Sequence, residues 1–126
     1  MEIIENIDKE LSDKDLNTFL SFVLNKIEDT KKILVIHPDY TRVDFTDKIV
    51  SILLENLKAR CTEKFDFLNA GGTHREMSEV EFLKKLGLKR KENYLNFYNH
   101  EFNNPDKLKT IGNISQKMVE EKTLLR

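Results

Sequence analysis

Apolar residues in the first half of the chain recur with helical spacing in two segments. Between residues 12 and 28 they return every three or four positions, which predicts an amphipathic helix. Residues 44–58 repeat this spacing along one broad apolar stripe and predict a second helix. Ser12 stands where an N-cap is expected, and Asp15 follows at the capping-box position.

Short apolar runs between these segments predict strands. Residues 33–36 form an unbroken, mostly β-branched run that ends before Pro38, as in a strand buried on both faces. Residues 64–69 predict a second strand and residues 94–98 a third. Strands that alternate with helices imply βαβ units, so we expect an α/β fold with a parallel sheet.

A third helix has the clearest start in the sequence. Ser78 and Glu81 form a capping box, Met77 and Phe82 are spaced for a hydrophobic staple, and Gly87 is a C-terminal signal. Beyond it, the pattern predicts a turn at residues 103–106, a short strand at 111–114 and a last helix from Ser115 to about residue 121. Without an internal repeat or linker, residues 1–126 are interpreted as one domain.

Composition narrows the class of protein. The 126 residues are 39% hydrophobic, which is enough for a core, and the net charge of -1 gives no reason to expect nucleic-acid binding. The lone cysteine, Cys61, excludes an internal disulfide and fits a reducing cytoplasm. The sequence has neither a signal-peptide pattern nor an apolar stretch of the ~20 residues that a membrane span needs. We therefore expect a cytoplasmic protein without a membrane partner.

A locally basic run, Lys84–Lys85 followed by Lys89–Lys91, falls at the expected end of the third helix. Cations are favoured there by the helix dipole, so we interpret the run as a solvated helix terminus. Anion or partner binding is the alternative.

Candidate chemistry lies in the loops that follow the first two predicted strands. Ligands of open α/β sheets bind at the carboxyl ends of the strands, so the two loops are expected to share one rim. The first loop offers Arg42, whose planar guanidinium suits a carboxylate or phosphate. Asp39 is placed to orient Arg42 or to bind a substrate hydroxyl, although an ordinary Asp–Arg pair in a turn is an equally simple interpretation.

The second loop places His74 after two glycines and a threonine, just before the third helix. Histidine is the side chain best suited to move a proton near neutral pH, and glycines let the backbone approach a ligand. The alternative is a capping or surface histidine. His37 is interpreted as structural and His100 as a surface residue, with a position on the rim as the alternative for His100. No pair of histidines has metal-ligand spacing, so no metal site is predicted.

Two motifs together resemble the nickel-dependent lactate racemase family. The first is the apolar strand that ends in Asp39-Tyr40-Thr41-Arg42, which is similar to the family's Asp-x-Thr-Arg. The second is Gly72-Thr73-His74-Arg75 before a Ser-capped helix, which is similar to its Gly-x-His-Arg turn. Asn99-His100-Glu101 matches an Asn-His-Asp segment more weakly. Val43 and Glu76 stand where the family usually has proline.

The resemblance implies a Rossmann-like α/β sandwich, truncated relative to the family's N-terminal domain. It implies that Arg42 binds the carboxylate of a 2-hydroxy acid, that Asp39 supports substrate binding and that His74 is one of two acid–base histidines. Thr41, Gly72 and Thr73 would line the cofactor side. The family's cofactor is a nickel-pincer nucleotide, whose tethering lysine and nickel-ligating histidine are not recognised in this sequence.

Three functions follow as hypotheses. The first is an N-terminal-type domain of a lactate racemase-like isomerase, incomplete for catalysis alone and complemented by the family's C-terminal domain. In that case the chain by itself is expected to hold no nickel cofactor. The second is a non-catalytic module that binds a small carboxylate or phosphate. The third is a structural fragment.

Overall fold

The computed structural model describes residues 12–123 and shows strands alternating with helices. Most elements predicted from the pattern are confirmed, with ends that differ by up to four residues. In chain order they are α1 (Asp13–Leu24), β1 (Thr30–His37), α2 (Thr46–Leu57), β2 (Cys61–Asn69), α3 (Glu79–Lys85), β3 (Leu95–Asn99), a 3-10 turn (Pro105–Lys107) and α4 (Gln116–Thr123).

The three strands form one parallel sheet in the order β1-β2-β3, which confirms the α/β class. Each strand is joined to its neighbour through a helix, and such crossovers are right-handed. Because the chain moves across the sheet in one direction, right-handed connections place α2 and α3 on the same face. The described part of the chain therefore forms a helix layer on one side of a sheet.

The core lies between these two layers. Phe65 and Phe67 of β2 are almost completely buried, and Leu57 of α2 and Phe82 of α3 pack against them. Phe82 stacks on Phe97 of β3 with ring centroids 5.0 Å apart. The alternate residues of the strands thus supply the helix-facing half of the core.

The opposite face of the sheet is open among residues 12–123. Leu34 and Ile36 of β1 are 59% and 64% exposed, and Tyr98 of β3 is 49% exposed. The prediction that β1 is buried on both faces is therefore wrong for the described chain. Its apolar run cannot show whether one face or both are covered, because that depends on the order of the strands in the sheet.

Two features near the C-terminus differ in outcome. The strand predicted at residues 111–114 is wrong: this segment has no strand partner, and Ile111 is almost fully exposed. The last helix is confirmed, because α4 begins after Ser115, whose hydroxyl accepts the Met118 N–H at 3.3 Å.

No helix within residues 12–123 has both the length and the apolar character that crossing a membrane would require. That residues 1–126 form a single domain remains a prediction.

The helix ends predicted from sequence are present. Ser12 with Asp15 caps α1, and Ser78 with Glu81 caps α3. Gly87 follows α3 with φ +68°, the left-handed conformation that ends helices. Gly72, in the second loop, also has positive φ, at +57°.

Replacing Gly87 by alanine should cost more stability than replacing Gly72. Both substitutions carry the left-handed backbone penalty of about 1 kcal/mol. A Cβ at Gly87 would also lie 2.9 Å from Asp47 Cβ, whereas a Cβ at Gly72 meets nothing within 4 Å. We expect Gly87→Ala to lower the unfolding free energy by about 1–3 kcal/mol more. Urea unfolding of both variants measures this, and equal losses would contradict the tight approach of Gly87 to α2.

Candidate functional site

The carboxyl ends of β1 and β2 bring the two candidate loops to one edge of the sheet. His37 pairs in register with Asn69, and each residue ends its strand. The loops are tied together at this point by a hydrogen bond from Ala70 N–H to His37 O at 2.9 Å. The predicted proximity of the two loops is therefore present.

Asp39 is the buried centre of the first loop, with 4% of its surface exposed. Its Oδ1 accepts hydrogen bonds from Thr41 N–H at 3.1 Å and from the Thr41 hydroxyl at 2.6 Å. Its Oδ2 is in direct hydrogen-bond contact with Nδ1 of His74. The Thr41 hydroxyl, outweighing burial and helped by His74, lowers the pKa of Asp39 to about 2. Asp39 is therefore a carboxylate at neutral pH.

His74 is oriented by this carboxylate. An ionised carboxylate only accepts hydrogen bonds, so Nδ1 of His74 carries the proton and donates it. In the neutral ring, Nε2 then bears the lone pair. Half of the side-chain surface is exposed, and His74 N–H closes the turn by donating to Gly71 O at 2.9 Å. The arrangement holds an accessible imidazole in one tautomer, which is the geometry that a general base requires.

Arg42 is not oriented by the side chain of Asp39. Its only contact with Asp39 is through the backbone, where Arg42 N–H donates to Asp39 O at 3.3 Å. Neither the orienting role nor the simple Asp–Arg pair considered for Asp39 is found, because that carboxylate is occupied by Thr41 and His74. Within the described chain the guanidinium of Arg42 has no hydrogen-bond or ion-pair partner, and it is exposed. It is thus available for an anion.

The interpretation of Lys85 as a solvated helix end is wrong. Its side chain is only 9% exposed, and its Nζ donates to Arg42 O at 2.7 Å and to Asp44 Oδ2 at 2.9 Å. Asp44 in turn accepts from Thr46 N–H and the Thr46 hydroxyl. Lys85 therefore fixes the backbone of Arg42 from α3, a role that the helix-dipole argument could not indicate.

Arg75 forms a second link that sequence reasoning missed. It makes two hydrogen bonds with the carboxylate of Glu81, at 2.6 and 3.0 Å, and lies 4.3 Å from the ring centroid of Tyr40. The pairing with Glu81 raises the pKa of Arg75 and lowers the pKa of Glu81 to about 2. Arg75 therefore links the second loop to Tyr40 of the first loop and to Glu81 of α3. The feature of the sequence that indicates this pair is Glu81, six residues after Arg75, but Glu81 had already been assigned to the cap of α3.

Two neighbouring cavities flank the joined loops. One, of about 410 Å³, is lined by Arg42 together with Tyr40, Lys84 and Lys85. The other, of about 360 Å³, is lined by His74, Arg75 and His100 among others. The structure therefore places Arg42 and His74 at one edge but in adjacent cavities. His100 does reach the cavity of His74, and its Nδ1 lies 3.3 Å from Gly72 O.

The remaining candidates differ in their surroundings. His37 is 3% exposed and packs edge-on to Phe82, and burial lowers its pKa, so a neutral structural ring fits its position. Cys61 is buried at the start of β2. Thr41 is engaged with Asp39, whereas Gly72 and Thr73 lie exposed at the tip of the second turn.

A resident metal ion does not fit the described residues alone. Residues 12–123 contain no group of three or more His, Cys, Asp or Glu side chains arranged to hold a metal ion. His74 and Asp39, the nearest such pair, are already bound to each other. This edge of the sheet therefore offers an exposed guanidinium, Arg42, and an oriented imidazole, His74.

Stability should fall as the pH drops through the range in which the hydrogen-bonded carboxylates of Asp39 and Asp44 lose their charge. The hydrogen bonds that Asp44 accepts from Lys85 and Thr46 outweigh burial and lower its pKa to about 2, the same value as for Asp39. In the unfolded chain both titrate near 3.8, so the unfolded state binds more protons between these values. Their contribution is full above about pH 4 and is lost towards pH 2. Urea midpoints measured across this range should fall less in Asp44→Asn; an unchanged pH slope would contradict the lowered pKa.

Comparison with known proteins adds a family. Residues 5–120 match the model described as the lactate racemase N-terminal domain. A crystal structure of a protein from Thermotoga maritima superposes with a TM-score of 0.78 at 42% identity, over 88% of this chain and 26% of that one. This chain thus spans about a quarter of the length of that relative. Among curated proteins, the search finds no match.

Proposed function

The chain belongs to the lactate racemase N-terminal domain family, and from this premise we propose that it supplies one half of the active site of a lactate racemase-like isomerase. The observation that supports this most is the Asp39–His74 pair at the same sheet edge as the guanidinium of Arg42, which has no hydrogen-bond or ion-pair partner within residues 12–123. A 2-hydroxy acid offers a carboxylate for the arginine and a hydroxyl for the histidine.

In this proposal Arg42 binds the carboxylate of the substrate, and His74 transfers the proton of the substrate hydroxyl. The unprotonated Nε2 of His74 accepts the proton, and the buried carboxylate of Asp39 stabilises the imidazolium that forms. Thr41 keeps Asp39 ionised, and the exposed turn at Gly72 and Thr73 leaves room for a ligand. In the resembled family, the nickel-pincer nucleotide supplies hydride chemistry when bound. The described residues of this chain form no group that could hold the nickel ion, so we propose no step that involves the cofactor.

The other half of the site would come from a polypeptide equivalent to the remainder of the longer relatives. Arg42 and His74 line adjacent cavities, so a covering segment is needed to enclose one substrate between them. We propose this complement and a 2-hydroxy acid as the partners of the chain.

A second function is favoured by one observation. Arg42 lies in its own cavity beside Lys84 and Lys85, separate from His74. A module that only binds a small carboxylate or phosphate would use this cavity and leave His74 unused.

Calorimetric titration with D- and L-lactate, and with phosphate, separates these functions. The isomerase half-site predicts lactate affinity on the order of millimolar that is lost in both Arg42→Ala and His74→Ala. Arg90→Ala is the matched control, since Arg90 is exposed and paired with Glu92 away from both cavities. Loss in Arg42→Ala alone, with phosphate competing, would favour the anion module. No binding of any anion would contradict both.

A further inference from the structure

The end of β3 carries an amide that reaches into the loop of the candidate base. Asn99 pairs in register with Asn69, which pairs with His37, so three polar side chains form a row across the ends of the strands. Asn69 is 1% exposed and donates from Nδ2 to Asn99 Oδ1 at 3.0 Å. The Nδ2 group of Asn69 thus has its partner in Asn99, whereas Asn69 Oδ1 and His37 Nε2 have none within residues 12–123.

The side-chain amide of Asn99 forms hydrogen bonds with both backbone groups of Met77, the N–H and the carbonyl oxygen. Met77 N–H donates to Asn99 Oδ1 at 2.9 Å, and Asn99 Nδ2 donates to Met77 O at 2.9 Å. The side chain of Met77 is buried, so these backbone groups have little access to water. The amide thus replaces the strand partner that an irregular segment lacks.

These two hydrogen bonds fix the C-terminal end of the segment that carries His74. The segment begins where Ala70 N–H donates to His37 O, and it ends at Met77, three residues after His74. A shift of Met77 would move the imidazole relative to the buried carboxylate of Asp39. Groups that orient a catalytic side chain must hold it within about 0.5 Å.

We propose that Asn99 is a positioning residue that holds His74 in register with Asp39 through the backbone of Met77. The proposal rests on the assignment of His74 as the acid–base group. Asn99 itself makes no contact with the site and acts only through the turn. Alanine would remove both bonds, and aspartate would keep the acceptor but set a second oxygen against Met77 O.

The test is the tautomer of His74, read from the ¹⁵N shifts of its ring nitrogens in the ligand-free protein. Wild type should show one Nδ1–H tautomer, whereas Asn99→Ala and Asn99→Asp should show a mixture of both. The matched control is Asn96→Ala, because Asn96 lies on the same strand and bonds Asp66 instead. A merely structural role would lower the urea midpoint of Asn99→Ala without changing the tautomer, and that result would overturn the proposal.

A measurement on the unmodified protein guards against variants that fail to fold. Met77 N–H should exchange with solvent far more slowly than Glu76 N–H, because it donates to Asn99. Equal exchange would overturn the proposal. Neither experiment uses a ligand. If lactate does not bind, the proposed function is refuted, but these two experiments still decide whether Asn99 positions His74.

Discussion

Replacing Asp39 by asparagine is expected to reverse the tautomer of His74. Oδ1 of Asp39 accepts from Thr41 N–H, so asparagine must keep its oxygen there and turn its NH₂ towards His74. An NH₂ group donates, so Nδ1 of His74 would become the acceptor and Nε2 would carry the proton. In serine proteases the equivalent exchange lowers kcat by about 10⁴ for this reason. Ring ¹⁵N shifts report the change directly.

The matched control is Asp44→Asn. Asp44 accepts from Thr46 N–H and the Thr46 hydroxyl in the same geometry, but its other oxygen bonds Lys85 rather than a histidine. This control should leave the tautomer of His74 unchanged. Lactate binding should survive in Asp39→Asn, because Arg42 is untouched and Nε2 of His74 can still hydrogen-bond the substrate hydroxyl, now as a donor. A wild-type tautomer in Asp39→Asn would show that the carboxylate does not orient His74.

Phe67→Ala is expected to have the largest effect on stability. Phe67 is fully buried in the middle of β2, with its ring against Phe97 at a centroid distance of 6.2 Å. Removing a buried aromatic side chain costs about 3–5 kcal/mol through lost burial and the cavity that remains. That is a large share of the roughly 5–15 kcal/mol that stabilises a typical domain. Urea unfolding followed by circular dichroism measures the loss.

Ile36→Thr tests the opposite face of the sheet. Ile36 is 64% exposed, and threonine keeps the β-branched side chain that suits a strand. The expected cost is below about 1 kcal/mol, as for other exposed positions. A loss of several kcal/mol would show that this face is covered in solution, contrary to the open sheet described here.

The fold could be predicted where local rules decide it. Capping at Ser12 and Ser78, the helical spacing and the apolar runs of the strands are short-range signals, and the structure confirms them. The open face of the sheet could not be predicted, because it follows from the strand order β1-β2-β3, which local sequence patterns do not show. The strand predicted at residues 111–114 failed because β propensity forms no strand without a partner.

The site could be predicted only in part. Residue types pointed to Asp39, Arg42 and His74, and parallel topology explains why their loops meet. The pairing was not predictable, because Asp39 and His74 are 35 residues apart and only the register of β1 with β2 brings them into contact. The anchoring of Arg42 by Lys85 spans 43 residues and is equally invisible in the sequence.

The most direct test of the proposed half-site is to follow Arg42 and His74 together by NMR while lactate is added. The Nε–H signal of Arg42 and the ring signals of His74 should shift along one saturation curve. Both enantiomers should produce it, because a racemase site must accept either hand. Shifts confined to the exposed basic residues near Lys89, or shifts at Arg42 without any response of His74, would contradict the shared site.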